Sequence, residues 1–142
     1  MPEHEQIDYR QMEAGYEFPP ASYRVDSSMV GAYLEAVEED SSLYRDSDLV
    51  PPMAIAAQVL AALSKAVSFP DGAVHVSQVV EFVDTADNRD TITSYASVGR
   101  MQKRGRFHLL SINLSACKDG DHVVFRGRTD FILPEKSEDS AP

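Results

Sequence analysis

The stretch Pro51-Pro-Met-Ala-Ile-Ala-Ala-Gln-Val-Leu-Ala-Ala-Leu-Ser-Lys-Ala-Val67 decides how this chain folds. Its two prolines suit the opening of a helix, where the first turn has no partner for the N–H that proline lacks. From Met53 to Val67 only Gln58, Ser64 and Lys65 are polar. The helix is apolar nearly all round and is expected to be enclosed on most sides. At about 15 residues it is too short to span a bilayer, so the rest of the chain must cover it.

Downstream the pattern becomes that of strands. After Phe69-Pro-Asp-Gly72, four segments at 73–83, 90–102, 106–117 and 122–132 are separated by turn signals at 84–88, 103–105 and 118–120. Connections this short predict consecutive antiparallel strands. Upstream, Phe18 to Val25 reads as a further strand, which Pro19-Pro20 confines to an edge or a bulge. Asp26-Ser-Ser caps a short amphipathic helix reaching Glu39, with Met29, Val30, Tyr33, Leu34 and Val37 on one stripe. Residues 40–50 read as a polar loop. A curved antiparallel sheet of about five strands wrapped around one apolar helix solves the helix's burial problem, and this α+β arrangement is the hot-dog fold.

The chain has 142 residues, 43% of them hydrophobic, which is enough for one domain with a real core. We expect a flexible N-terminus at 1–12, a single domain at 13–134 and an acidic tail at 135–142. The net charge of -10 repels nucleic acid and anionic membrane surfaces at long range. Residues 1–52 carry most of it, with twelve acids against three bases. Residues 89–106 form a local basic patch of Arg89, Arg100, Lys103, Arg104 and Arg106 against Asp90. It reads either as a solvated turn or as an anion site for a phosphorylated ligand. A lone Cys117 cannot form an internal disulfide, and no apolar run opens the chain, so the cytoplasm is the expected compartment. No His or Cys pair has metal-ligand spacing, and no metal or cofactor is expected.

From Gly15 to Pro134 the sequence resembles the MaoC-like dehydratase group of hot-dog proteins, which includes (R)-specific enoyl-CoA hydratases. The residues that carry the resemblance are Tyr33-Leu-Glu-Ala-Val-Glu-Glu-Asp40, Leu43-Tyr-Arg-Asp46, Leu49-Val-Pro-Pro-Met53, Ala73-Val-His-Val-Ser-Gln-Val-Val-Glu-Phe82 and Arg104-Gly105. It implies binding of acyl thioesters of coenzyme A or acyl carrier protein, and assembly as a homodimer or as a heterodimer with a related catalytic subunit. It also implies a substrate-binding place for Pro52 at the helix opening and for Arg100, Lys103, Arg104 and Arg106.

Hydration of a 2-enoyl thioester needs a base for water, an acid for the α-carbon and donors for the thioester oxygen. The group supplies base and acid from a loop reading Gly-Asp-x-Asn-Pro-Ile/Leu-His. Here that loop reads Glu39-Asp40-Ser41-Ser42-Leu43-Tyr44. Asp40 matches the Asp, the Gly is Glu39, the Asn-Pro step is one residue short and Tyr44 replaces the His. A Tyr with an ordinary pKa near 10 is a poor base at neutral pH, so Asp40 and Tyr44 form a degenerate pair. Asp40 reads equally well as a loop residue capping local backbone.

His75 is the alternative imidazole. It is placed by simple alternation with Ser77, Val79 and Glu81, while His108 reads as a core or interface residue beside Leu110, Ile112 and Leu114. His4 and His122 lie in the N-terminal end and the final turn. Three readings stand: a substrate-binding partner subunit or atypical dehydratase, an acyl thioesterase using a carboxylate such as Asp40 or Glu39 to activate water, and a non-enzymatic dimeric binding module.

Overall fold

The computed structural model describes residues 6–45 and 47–135. Its elements in chain order are β1 (Ile7–Asp8), a 3-10 turn (Tyr9–Gln11), β2 (Ala21–Arg24), α1 (Ser27–Ala36), α2 (Ser42–Arg45), α3 (Pro52–Ala66), β3 (Val67–Ser68), β4 (Val74–Phe82), β5 (Thr91–Arg104), β6 (Phe107–Lys118) and β7 (His122–Pro134). Five strands form one antiparallel sheet in the order β2-β5-β6-β7-β4, and β1 pairs in parallel with β3.

Alternation along the strands separates two faces. Leu110, Ile112, Leu114 and Ala116 of β6 are buried with Phe125 and Leu133 of β7 and with Ile92 and Val98 of β5, in one core with Ile55, Ala56, Val59 and Leu63 of α3. The outer face is polar, with Ser97, Asn113 and Arg128 in one cross-strand row and Tyr95, Ser115 and Arg126 in the next. Cys117, also outward, is buried beneath its neighbours.

Several sequence expectations are corrected. First, α3 is not enclosed on most sides. Met53, Ala57, Ala61, Ser64 and Lys65 are exposed along one stripe, which is tolerable because three of them are the small Ala and Ser, with little surface to hide. Second, β4 does not neighbour β5. Residues 83–90 can span about 25 Å, more than the three strand spacings of about 4.8 Å each that separate the two strands. The crossing is pinned where Val50 N–H donates to Ala86 O and Leu49 bridges Asp87.

Third, Ile7, Tyr9 and Met12 pack into the core. Asp8 caps the 3-10 turn and Tyr9 and Met12 are buried, so only residues 1–5 of the expected flexible segment, His4 among them, lie outside the described residues. The acidic tail beyond Glu135 also lies outside them. Fourth, a bulge between His75 and Ser77 shifts the alternation of β4. It turns His75 to the helix side with Gln78, Val80 and Phe82, and leaves Val74, Ser77, Val79 and Glu81 on the outer face.

The strand expected at Phe18 to Val25 is shorter. It is β2, preceded by a single bridge from Glu17 to Ser97. The edge strand β4 is held close to β7 at Gly127, where an added Cβ would lie 2.7 Å from the Val79 carbonyl oxygen. Beyond β4 there is no further strand among the described residues, and Val74, Val76, Val79, Val80, Phe82 and Val83 are each 36% to 54% exposed.

Candidate functional site

α1 begins where the Asp26 carboxylate accepts the Met29 N–H at 3.0 Å. It ends where Glu38 takes a left-handed conformation (φ 56°) and lets Glu39 N–H reach back to Leu34 O at 2.9 Å. This turn brings the 39–45 segment over the opening of α3. Between them lies a cleft of about 250 Å³. Tyr33 and Leu34 of α1 with Val37 just past its end form one wall, Pro51, Pro52 and Met53 another, and Phe82 at the end of β4 the third, with Glu39 and Tyr44 at the rim.

The cleft is apolar apart from one carboxylate and two phenols. The Glu39 carboxylate is half-buried and accepts the Ser41 N–H at 2.9 Å. The N-terminal end of α3 abuts the cleft, and its partial positive charge suits an oxygen that gains negative charge. Its first turn lacks a side-chain cap.

Of the residues singled out in the sequence, Tyr44 and Pro52 line this cleft and Asp40 does not; Asp40 is exposed one residue beyond Glu39. His75 lies elsewhere, near the start of β4. Its ring stacks on Phe131 (centroids 5.0 Å apart, planes at 28°) and its Nε2 is 2.8 Å from the Thr129 hydroxyl. His108 is half-buried on the core side and packs edge-on against Tyr9 at 5.7 Å. His122 pairs with Asp84. This hydrogen bond, with one from Thr85 N–H, holds the Asp84 carboxyl below the usual range.

Arg100, Lys103, Arg104 and Arg106 cluster at the β5–β6 turn, where Lys103 pairs with Glu135 at 2.9 Å and holds its carboxyl low. Arg89 stands apart with Asp87. Phe107 and Ala116 mark the two ends of this geometry along β6, so within one chain the basic cluster is about 30 Å from the cleft.

Phe82 was not read as a site residue from the sequence, where it looked like one more strand residue more than thirty positions away, and Glu39 was read only as a lost glycine or as a carboxylate for the thioesterase alternative. Among the described residues no group of three or more His, Cys, Asp or Glu is placed to hold a metal ion, and no helix is long and apolar enough to cross a membrane.

No protein-family profile matches the sequence, and no curated protein matches it. Solved structures do resemble it. The unliganded R-hydratase PhaJ1 from Pseudomonas aeruginosa superposes with a TM-score of 0.75 at 13% identity, over 92% of this chain and 88% of that one. The (R)-hydratase from A. caviae involved in PHA biosynthesis gives 0.74 at 17% identity, over 88% and 99%. A chain of the ChsH1-ChsH2 complex from Mycobacterium tuberculosis gives 0.71 at 12% identity, over 85% and 98%. The chain therefore has the hot-dog fold.

Proposed function

We propose that the chain binds an acyl thioester of coenzyme A or acyl carrier protein, with the acyl arm in the cleft at the start of α3, as a hydratase- or dehydratase-related protein. The observation that carries this reading is the cleft itself: apolar walls that close on a helix N-terminus, with Glu39 and Tyr44 at the rim. The walls suit an alkyl chain, the helix end suits a thioester oxygen, and the rim groups suit the polar link. Among the described residues of one chain the rim offers no imidazole, so a single copy binds the substrate better than it transforms it. The chemistry needs no metal or other cofactor, and a cytoplasmic location fits a lone thiol and a soluble acyl carrier.

The exposed apolar edge of β4 is the place where a second hot dog would join, either another copy or a related subunit as in the ChsH1-ChsH2 complex. Calorimetric titration with octanoyl-CoA tests the proposal. The parent protein should bind, and Met53→Trp, which fills the cleft from an exposed position, should abolish binding while the melting temperature stays within a few degrees. Binding that is absent, or indifferent to Met53→Trp, would defeat the reading.

A further inference from the structure

The arrangement of β4 bears on the missing imidazole. The strand has an unpaired edge, five exposed apolar residues with Val83 just beyond them, and a single charge, Glu81. Of the acidic segment 1–52, Glu39 comes near the Phe82 end of this strand, across the cleft, and the strand itself carries no second acid. Two copies joined edge to edge about a two-fold axis would run antiparallel, so the Val74 end of one strand would meet the Phe82 end of the other.

Side-chain direction restricts the register further. Opposed residues must point to the same face, and from Ser77 to Phe82 even-numbered residues face the helix while odd-numbered ones face out. Only registers with the axis through a residue satisfy this rule. With the axis at Val79, Gln78 faces Val80, Ser77 faces Glu81 and the bulge absorbs Val76. His75 then faces Phe82 and Val74 faces Val83. This register gives Val74, Val79, Val80, Phe82 and Val83 each an opposed residue, leaves Val76 in the bulge, and sets no two like charges opposite. With the axis at Gln78, Val74 would face Glu81 and Val83 would overhang.

We propose that a second copy of this chain docks its β4 on this β4 in the Val79-centred register and supplies His75 to the cleft as its proton-transfer group. The inference rests on the acyl-thioester reading above. Directly opposed residues have Cβ atoms about 5 Å apart, and Phe82 lines the cleft. His75 of the second copy is therefore set beside the site that Tyr44 leaves without an imidazole. The ring is already held, between the face of Phe131 and the Thr129 hydroxyl. An exposed histidine fixed at one nitrogen has the form of an oriented base.

With a 2-enoyl thioester in the cleft, the imidazole takes a proton from water as the water oxygen bonds to C3. The π pair moves onto the thioester oxygen as an enolate at the end of α3. The imidazolium then returns the proton to C2 as the enolate collapses, leaving a 3-hydroxyacyl thioester and a neutral imidazole.

The test is a mixed dimer. His75→Ala should keep octanoyl-CoA binding but lose at least about 100-fold in crotonyl-CoA hydration, the lower bound for general acid–base help. Met53→Trp should lose binding. A dimer purified by two different tags from co-expressed His75→Ala and Met53→Trp chains pairs one open cleft with one intact His75, and should regain about half the parental rate, one site of two. An inactive mixed dimer, a parental rate in His75→Ala, a parent that sediments as a monomer, or a parent that binds octanoyl-CoA without hydrating crotonyl-CoA would each overturn this inference alone. A parent that binds no octanoyl-CoA would overturn the function proposed above as well.

Discussion

Asp130 sits on the outer face of β7 as acceptor for two hydroxyl donors, Ser77 and Ser111, with Arg128 at 3.2 Å. Partial burial pushes its carboxyl up, but the hydrogen bonds from Ser111 and Ser77 and the Arg128 charge outweigh it and hold it below the usual range. A carboxylate lowered in this way stabilises the fold above its unfolded value near 3.9, and that contribution is lost as pH falls through the folded value. We expect Asp130→Asn to cost ~1–3 kcal/mol at pH 7 and to flatten the acid limb of the stability curve below about pH 4. Urea denaturation from pH 7 down to pH 2 checks both. An unchanged acid limb would mean that another carboxylate, such as Asp84, governs it.

At the scale of the elements, α3 makes opposite predictions for its two sides. Val59 is 1% exposed, and Val59→Asp would place an unpaired charge among Ile112 and its neighbours, enough to unfold a domain whose net stability is ~5–15 kcal/mol. Ala57→Glu and Ala61→Glu lie on the exposed stripe and should move stability by no more than about 0.5 kcal/mol. Thermal melts of the three variants separate a half-covered helix from an enclosed one. The exposed stripe was hidden in the sequence because alanine counts as apolar whether it is buried or not. The strands were legible, since period-two patterns and glycine turns act locally. Their neighbours were not, because β4 reaches β7 across the end of the sheet and no local signal records that crossing. Tyr9 and Met12 were missed for a related reason: two isolated apolar residues in a polar run carry no periodicity. At the site, Tyr44 and Pro52 were legible from nearby motifs, whereas Phe82 reaches the cleft only through the sheet.

For the whole molecule, charge and assembly act together. The basic cluster is remote from the cleft of its own chain. In the two-fold pairing about Val79, however, the second copy's β5–β6 turn swings to the same end, four strand spacings or about 19 Å from Phe82. Guanidinium groups at that separation suit the phosphate end of an extended thioester whose acyl end is buried. Arg104→Ala with Arg106→Ala should therefore weaken octanoyl-CoA binding about 10-fold or more in the dimer, as expected for the loss of one or two charge-assisted contacts. Val79→Lys should split the dimer into monomers, and in that background the arginine changes should have no effect. Sedimentation and calorimetry on the four proteins decide it.

Cys117 offers a clock for the opening of this assembly. It is the chain's single thiol, and burial pushes its pKa up, so a thiol reagent can react only when β6 and β7 separate around it. With reagent slow relative to reclosing, the labelling rate divided by that of an unfolded chain is the opening equilibrium constant. If the sheet opens only as one unit, that constant should match the value from urea denaturation. It should rise when Val79→Lys removes the neighbouring copy, because an unpaired β4 no longer braces β7. Faster labelling than global unfolding allows would mark the outer turn at residues 118–122 as a hinge that breathes by itself.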